Sequence, residues 1–182
     1  MKTVKYNNFL KLLASIIICE LAGATGSVFT SSEIGVWYKN LKKPAFNPPN
    51  WVFGPVWTII FILMGVSLYL VWSKKWEPRK RIGQDEALNS LSQKFLSGAW
   101  RRLNIVLIFG TQFALNILWS VIFFGLHNPG VAFFELLMLW FAVVFTMVNF
   151  RRVSKATTWL LFPYILWISF AGILNYFVWI LN

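Results

Sequence analysis

The chain has 182 residues, 58 % of them hydrophobic and 13 % charged, with a mean hydropathy of +0.62 and a formal net charge of +11. A soluble domain carries about a quarter charged residues, whereas a spanning helix consumes roughly 20 apolar ones because the hydrocarbon core is about 30 Å thick. Five such spans and their linkers use up the sequence, so a separate soluble domain is excluded. One cysteine (Cys19) and one histidine (His127) likewise exclude disulfide frameworks, metal sites built from Cys and His, and Cys–His nucleophiles.

The predicted class is all-α integral membrane, a five-transmembrane-helix bundle forming one domain over residues 1–182. The spans fall at about 9–30, 52–73, 103–124, 130–150 and 157–180. Lys2, Lys5 and Lys11 precede the run Leu12–Cys19, and Ala22-Gly23-Ala24 has the look of a signal-peptide cleavage site. Apolar and small residues nevertheless continue to Phe29, so the segment reads as a retained first span. Bulky Ile18 before Cys19 argues against a lipoprotein. The pairs Ala22/Gly26 and Gly23/Ser27 suit close helix approach, within the bundle or between protomers. Glu20 is an intramembrane carboxylate, as is Glu135 further on. Neither has a second acid spaced on its own helix, so acid–base hydrolysis has no support, while proton coupling and simple hydrogen bonding both stay open.

The first linker holds Trp37-Tyr38, Lys42-Lys43-Pro44 and Asn47-Pro48-Pro49-Asn50-Trp51. Each proline pushes its predecessor towards extended geometry, and a segment this stiff and aromatic is expected to pack across the mouth of the bundle. For Trp37 and Trp51 individually, an interfacial aromatic belt explains the residue equally well. In the second linker Leu88, Leu91, Phe95 and Leu96 predict a short amphipathic helix lying on the membrane. Leu126-His127-Asn128-Pro129-Gly130 is a tight turn, in which His127 is a turn residue and not a catalyst. Pro163 removes a backbone donor and is expected to bend the fifth span.

The basic residues mark topology, not a nucleic-acid surface. Three lie at the N-terminus, eight in the second linker and three in the fourth, fourteen in all, against Lys39, Lys42 and Lys43 in the first. That asymmetry predicts an N-terminus on the cytoplasmic or equivalent side and a first linker facing outwards.

Polar residues inside spans usually face the bundle interior. Gln112, Asn116, Trp119, Ser120 and Phe123 share one helical face. So do Glu135, Ala142, Thr146 and Asn149 in the fourth span, and Trp167, Ala171, Asn175 and Val178 in the fifth. Interhelix packing uses the same small and polar residues, and for Gln112, Thr146 and Asn149 both readings stand. Trp119 and Trp167 are harder to assign to packing. An asparagine one turn from an indole offers an aromatic platform and a hydrogen-bonding group, which a flat hydrophobic ligand needs.

Trp37-Tyr38, Leu41, Lys43-Pro44, Asn47-Pro48-Pro49, Trp51, Phe53 and Pro55-Val56-Trp57-Thr58 together resemble the signature of the TspO/translocator family, the peripheral-type benzodiazepine receptors. Asn116-x-x-Trp119 with Phe123-Phe124-Gly125, and Pro163-Tyr164-x-x-Trp167 with Leu174-Asn175-Tyr176, match its third and fifth helices in order, so the resemblance covers nearly the whole chain. It implies a five-helix bundle in a bacterial or mitochondrial outer membrane, often a homodimer in bacteria, without a cofactor or metal. The implied ligands are porphyrin and haem-like tetrapyrroles, sterols and synthetic drugs. By matching positions, the ligand site uses Tyr38, Pro48, Phe53, Trp57, Asn116, Trp119, Trp167 and Ala171, with Ser27, Glu135 and Asn175 as secondary candidates. Binding, with a transport or scavenging role in tetrapyrrole homeostasis or stress response, is the leading implied function. Light-dependent oxidative breakdown of bound protoporphyrin, with Trp57 and Trp167 as redox-active side chains, is one alternative; a ligand sensor acting through a partner protein is another. Two positions depart from the pattern. Phe46 stands where the family has tryptophan, and the sterol motif lacks its basic residue, since Phe177 to Asn182 contains none.

Overall fold

The computed structural model describes the backbone of residues 2–74 and 87–182 and the side chains of residues 7–74 and 103–182. Helix α1 spans Lys2–Glu33, a single turn α2 spans Trp37–Asn40, and a 3-10 turn at Asn50–Val52 leads into α3, Phe53–Ser73. Helix α4, Ala87–Ser120, continues through a π-helical turn at Val121–Gly125; α5 is Pro129–Arg151 and α6 is Lys155–Leu181. Among the described residues five segments are long and apolar enough to cross a membrane: Asn7–Glu33, Asn50–Ser73, Leu103–Gly125, Pro129–Arg151 and Lys155–Leu181. The five-span bundle expected from hydropathy is therefore the fold.

The segment expected as a separate surface helix differs. Its backbone is the start of α4, which runs unbroken from Ala87 into the third span; its apolar face lies outside the described side chains. Helix α6 stays helical through Pro163.

Neighbour contacts close the five long helices into a ring in the order α1–α3–α6–α5–α4 and back to α1. Each seam has an identifiable cause. Trp57 of α3 meets Tyr164 of α6 edge-on, with centroids 6.1 Å apart. Between α6 and α5, Trp140 Nε1 donates to Ser169 Oγ at 2.9 Å. Thr146 Oγ1 of α5 donates to Gln112 Oε1 of α4 at 2.9 Å, both side chains being buried. That assigns Gln112 and Thr146 to packing, while Asn149 donates to the Phe145 carbonyl of its own helix. The small residues of α1 also work inside the bundle: a Cβ on Gly26 meets Ser120 Oγ of α4 at 3.2 Å, and one on Gly23 meets the Phe61 ring of α3 at 2.3 Å.

The tightest seam is between α1 and α3, where a Cβ on Gly65 falls 2.5 Å from the Ile16 Cα. Gly65→Ala gains about 1 kcal/mol of helix propensity but forces two backbones apart, an overpacking cost of about 1–3 kcal/mol. The thermal midpoint in detergent is expected to fall. Gly110→Ala meets nothing within 4 Å and is expected to raise it. Equal shifts in the two variants would contradict the close α1–α3 approach.

The first linker lies over one end of the ring. Tyr38 Oη donates to Asn47 Oδ1 at 2.9 Å, folding the linker onto itself. Lys42 N donates to Asn182 Oδ1 at 2.9 Å and Asn182 Nδ2 returns a bond to the Lys42 carbonyl at 3.0 Å, tying the linker to the end of α6. Phe46 packs edge-on against Phe177. Trp37 stacks on His127 at 4.4 Å and meets Phe123 edge-on at 5.5 Å, whereas Trp51 is 74 % exposed. Of the two indoles, only Trp51 has the setting of a belt residue. His127 occupies the turn with φ 51° and pairs with Glu33 Oε2 at 3.0 Å, bracing the α4–α5 connection against the end of α1.

Candidate ligand-binding site

Beneath the linker the ring encloses a cavity of about 520 Å³, within the roughly 300–1,000 Å³ usual for small-molecule sites. Its lining runs from Glu20 to Ser31 on α1, which at 1.5 Å per residue makes it about 16 Å deep. The matching limits on the other walls put Phe61 of α3, Asn116 of α4 and Trp167 of α6 with Glu20 at the floor. Tyr38, Asn50, Phe124 and Val178 stand near the mouth. Helix α5 contributes no lining residue, so the cavity has four helical walls inside a five-helix ring.

Three indoles face the cavity. Trp57 stacks on Phe61, with centroids 5.6 Å apart and planes 24° apart. Trp119 stacks on Phe123 at 5.1 Å, its Nε1 donating to Asn175 Oδ1 at 3.0 Å. Trp167 meets Phe53 edge-on at 5.7 Å, and its Nε1 is buried without a hydrogen-bond partner among the described residues. Trp167 also lines an outward apolar groove between α3 and α6, with Val56, Ile59 and Pro163. Asn116 Nδ2 donates to Tyr164 Oη at 3.0 Å, which fixes the amide and leaves its carbonyl oxygen to accept. At the mouth, burial raises the Tyr38 phenol above its ordinary range, opposed by its bond to Asn47, so the phenol is a neutral group at physiological pH. Lys43 Nζ sits 4.6 Å over the Tyr38 ring, and burial lowers its pKa from the ordinary lysine value.

The structure brings Tyr38, Phe53, Trp57, Asn116, Trp119, Trp167 and Ala171 into this one cavity, together with Ser27 and Asn175. It does not bring Pro48 or Glu135 there. The Pro48 carbonyl accepts from Asn47 Nδ2 at 3.0 Å, so Pro48 shapes the linker. Glu135 is buried on α5, the helix that forms no wall, with neither carboxylate oxygen hydrogen-bonded among the described residues. Sequence reasoning did not place Phe61, Phe124 or Glu20 in the site. Phe61 lies four residues after Trp57, a spacing that does share a face. Phe124 is turned inwards by the π-helical turn, for which the sequence carries no comparable signal.

A closed ring of five membrane spans around an aromatic, small-molecule-sized cavity defines a multi-pass membrane protein built to hold a ligand. The TspO/MBR family profile matches residues 15–180. The chain is 38 % identical over 175 residues to the tryptophan-rich protein TspO of Archaeoglobus fulgidus, covering 96 % of this chain and 99 % of that one. It is 36 % identical over 155 residues to the translocator protein of Homo sapiens (85 % and 79 % covered). With the tryptophan-rich sensory protein of Cereibacter sphaeroides the identity is 30 % over 168 residues (92 % and 87 %). The chain belongs to the TspO/MBR family.

Proposed function

We propose that the protein binds one flat, hydrophobic tetrapyrrole of the porphyrin class per protomer and serves as its membrane binding protein, in a carrier or scavenging role. The observation that carries the reading is the convergence of Trp57, Trp119 and Trp167 on one cavity that Asn116 and Asn175 also line. Indole faces stack on a planar macrocycle and the amides orient its polar groups. The names of relatives, a translocator and a sensory protein, are consistent with a ligand-handling role.

The experiment is a titration of the purified protein in mild detergent with protoporphyrin, followed by loss of indole fluorescence. Saturation near one equivalent is expected. Uptake that rises linearly, as it does in empty micelles, would sink the reading.

Oxidative turnover is a second reading, favoured by Trp167, a cavity indole whose Nε1 has no hydrogen-bond partner among the described residues. Illuminating the complex in oxygen separates the two. Product formation faster than for free porphyrin, abolished by Trp167→Phe with binding retained, supports turnover; equal bleaching in both leaves binding alone.

A further inference from the structure

Among the described residues the cavity is lined by one carboxylate and by no lysine, arginine or histidine. Glu20 Oε1 is buried and has no hydrogen-bond partner among the described residues. A carboxylate held inside a membrane bundle is costly to leave unpaired and is normally matched to a cation or a donor. Nothing described in the protein supplies that match, and the space Glu20 faces is the ligand cavity.

The rest of the floor suits the same occupant. The Asn116 carbonyl is left to accept, since among the described residues only its amide nitrogen is engaged. Phe61 packs against Gly23, one turn along α1 from Glu20, and Trp57 stacks on Phe61, so this aromatic pair lines the same cavity as the carboxylate. A carboxylate, an amide carbonyl and aromatic faces together bind an alkylammonium group, through charge, hydrogen bonding and cation–π attraction.

We propose that Glu20 is a specificity-determining residue at the cavity floor, and that the site takes aromatic ligands bearing a protonated amine, with the ammonium directed to Glu20. This ligand class is separate from the tetrapyrrole reading and does not rest on it. Glu20 acts as the anionic partner; the indoles hold the flat remainder of the ligand.

The test uses two probes of nearly equal shape, 1-pyrenemethylamine and 1-pyrenemethanol, with the full chain in nanodiscs of neutral phosphatidylcholine. Indole-to-pyrene energy transfer is read after subtraction of empty discs. Wild type is expected to bind the amine about tenfold more tightly than the alcohol. Glu20→Gln is expected to abolish that preference and keep the alcohol affinity, which reports an intact cavity. Glu135→Gln, outside the cavity, is expected to retain the preference. Equal wild-type affinity for the two probes overturns the proposal with no variant needed, and so does a preference that survives in Glu20→Gln.

Discussion

Trp57→Leu is expected to weaken protoporphyrin binding by up to about tenfold. Stacking between aromatic groups contributes about 0.5–1.5 kcal/mol beyond the apolar area it buries, and a tenfold change in affinity corresponds to about 1.4 kcal/mol. Trp57 is held for this role from two sides, by the stacked Phe61 ring and the edge of Tyr164. Leucine removes the plane while keeping an apolar filler, so the measured loss is mostly that of the platform. The comparison is Trp159→Leu, an indole 73 % exposed on the outside of α6. Fluorescence-independent titration, by porphyrin absorbance, should show the loss at Trp57 alone. Equal affinities in the two variants would remove Trp57 from the site.

The second large effect is on stability. Asn175 accepts from Trp119 Nε1 at 3.0 Å and donates to the Pro129 carbonyl at 2.6 Å, linking a cavity indole on α4, the start of α5 and the body of α6. Asn175→Leu leaves the half-buried indole N–H of Trp119 unpaired, at about 1–3 kcal/mol, and removes the cross-link to α5, worth about 1 kcal/mol more. Together these predict a destabilisation of about 2–4 kcal/mol in reversible detergent unfolding. Among the described residues Asn149→Leu loses only a bond to its own helix, at the Phe145 carbonyl, and is expected to stay within about 0.5 kcal/mol of wild type. If the two variants unfold alike, Asn175 does not hold the three helices together.

The number and rough placement of the spans were legible in the sequence because hydropathy measures the solvent directly. It does not measure where a helix stops. Helix α1 runs to Glu33, past the apolar run, since Ser31, Ser32 and Glu33 can complete a turn on the water side. The ring order was not legible either, as the period of an apolar stripe says nothing of which neighbour it meets. The same limit explains the mixed outcome for the polar stripes. Those of α4 and α6 face the cavity at Asn116, Trp119, Trp167, Ala171 and Asn175. The stripe of α5, with Glu135 and Thr146, has the same period and is spent on packing. A cavity wall and a helix seam are written in the same residue types, and only the closure of the ring tells them apart.

The first linker has a consequence for how a ligand is received. Tyr38 is bonded to Asn47 within the linker, while the contacts of Lys42 with Asn182 and of Phe46 with Phe177 tie it to α6, so the linker is folded and pinned before anything enters the cavity. Its prolines narrow the conformations available to it even when those contacts are open. Ordering a mobile cover on binding costs roughly 0.5–1.5 kcal/mol for each flexible side chain immobilised; here that entropy is already lost in folding. Ligand contacts made against this roof therefore count almost fully towards affinity. Loosening the roof by Tyr38→Phe, which cuts the bond to Asn47 and keeps the ring, would return the ordering cost to the binding step.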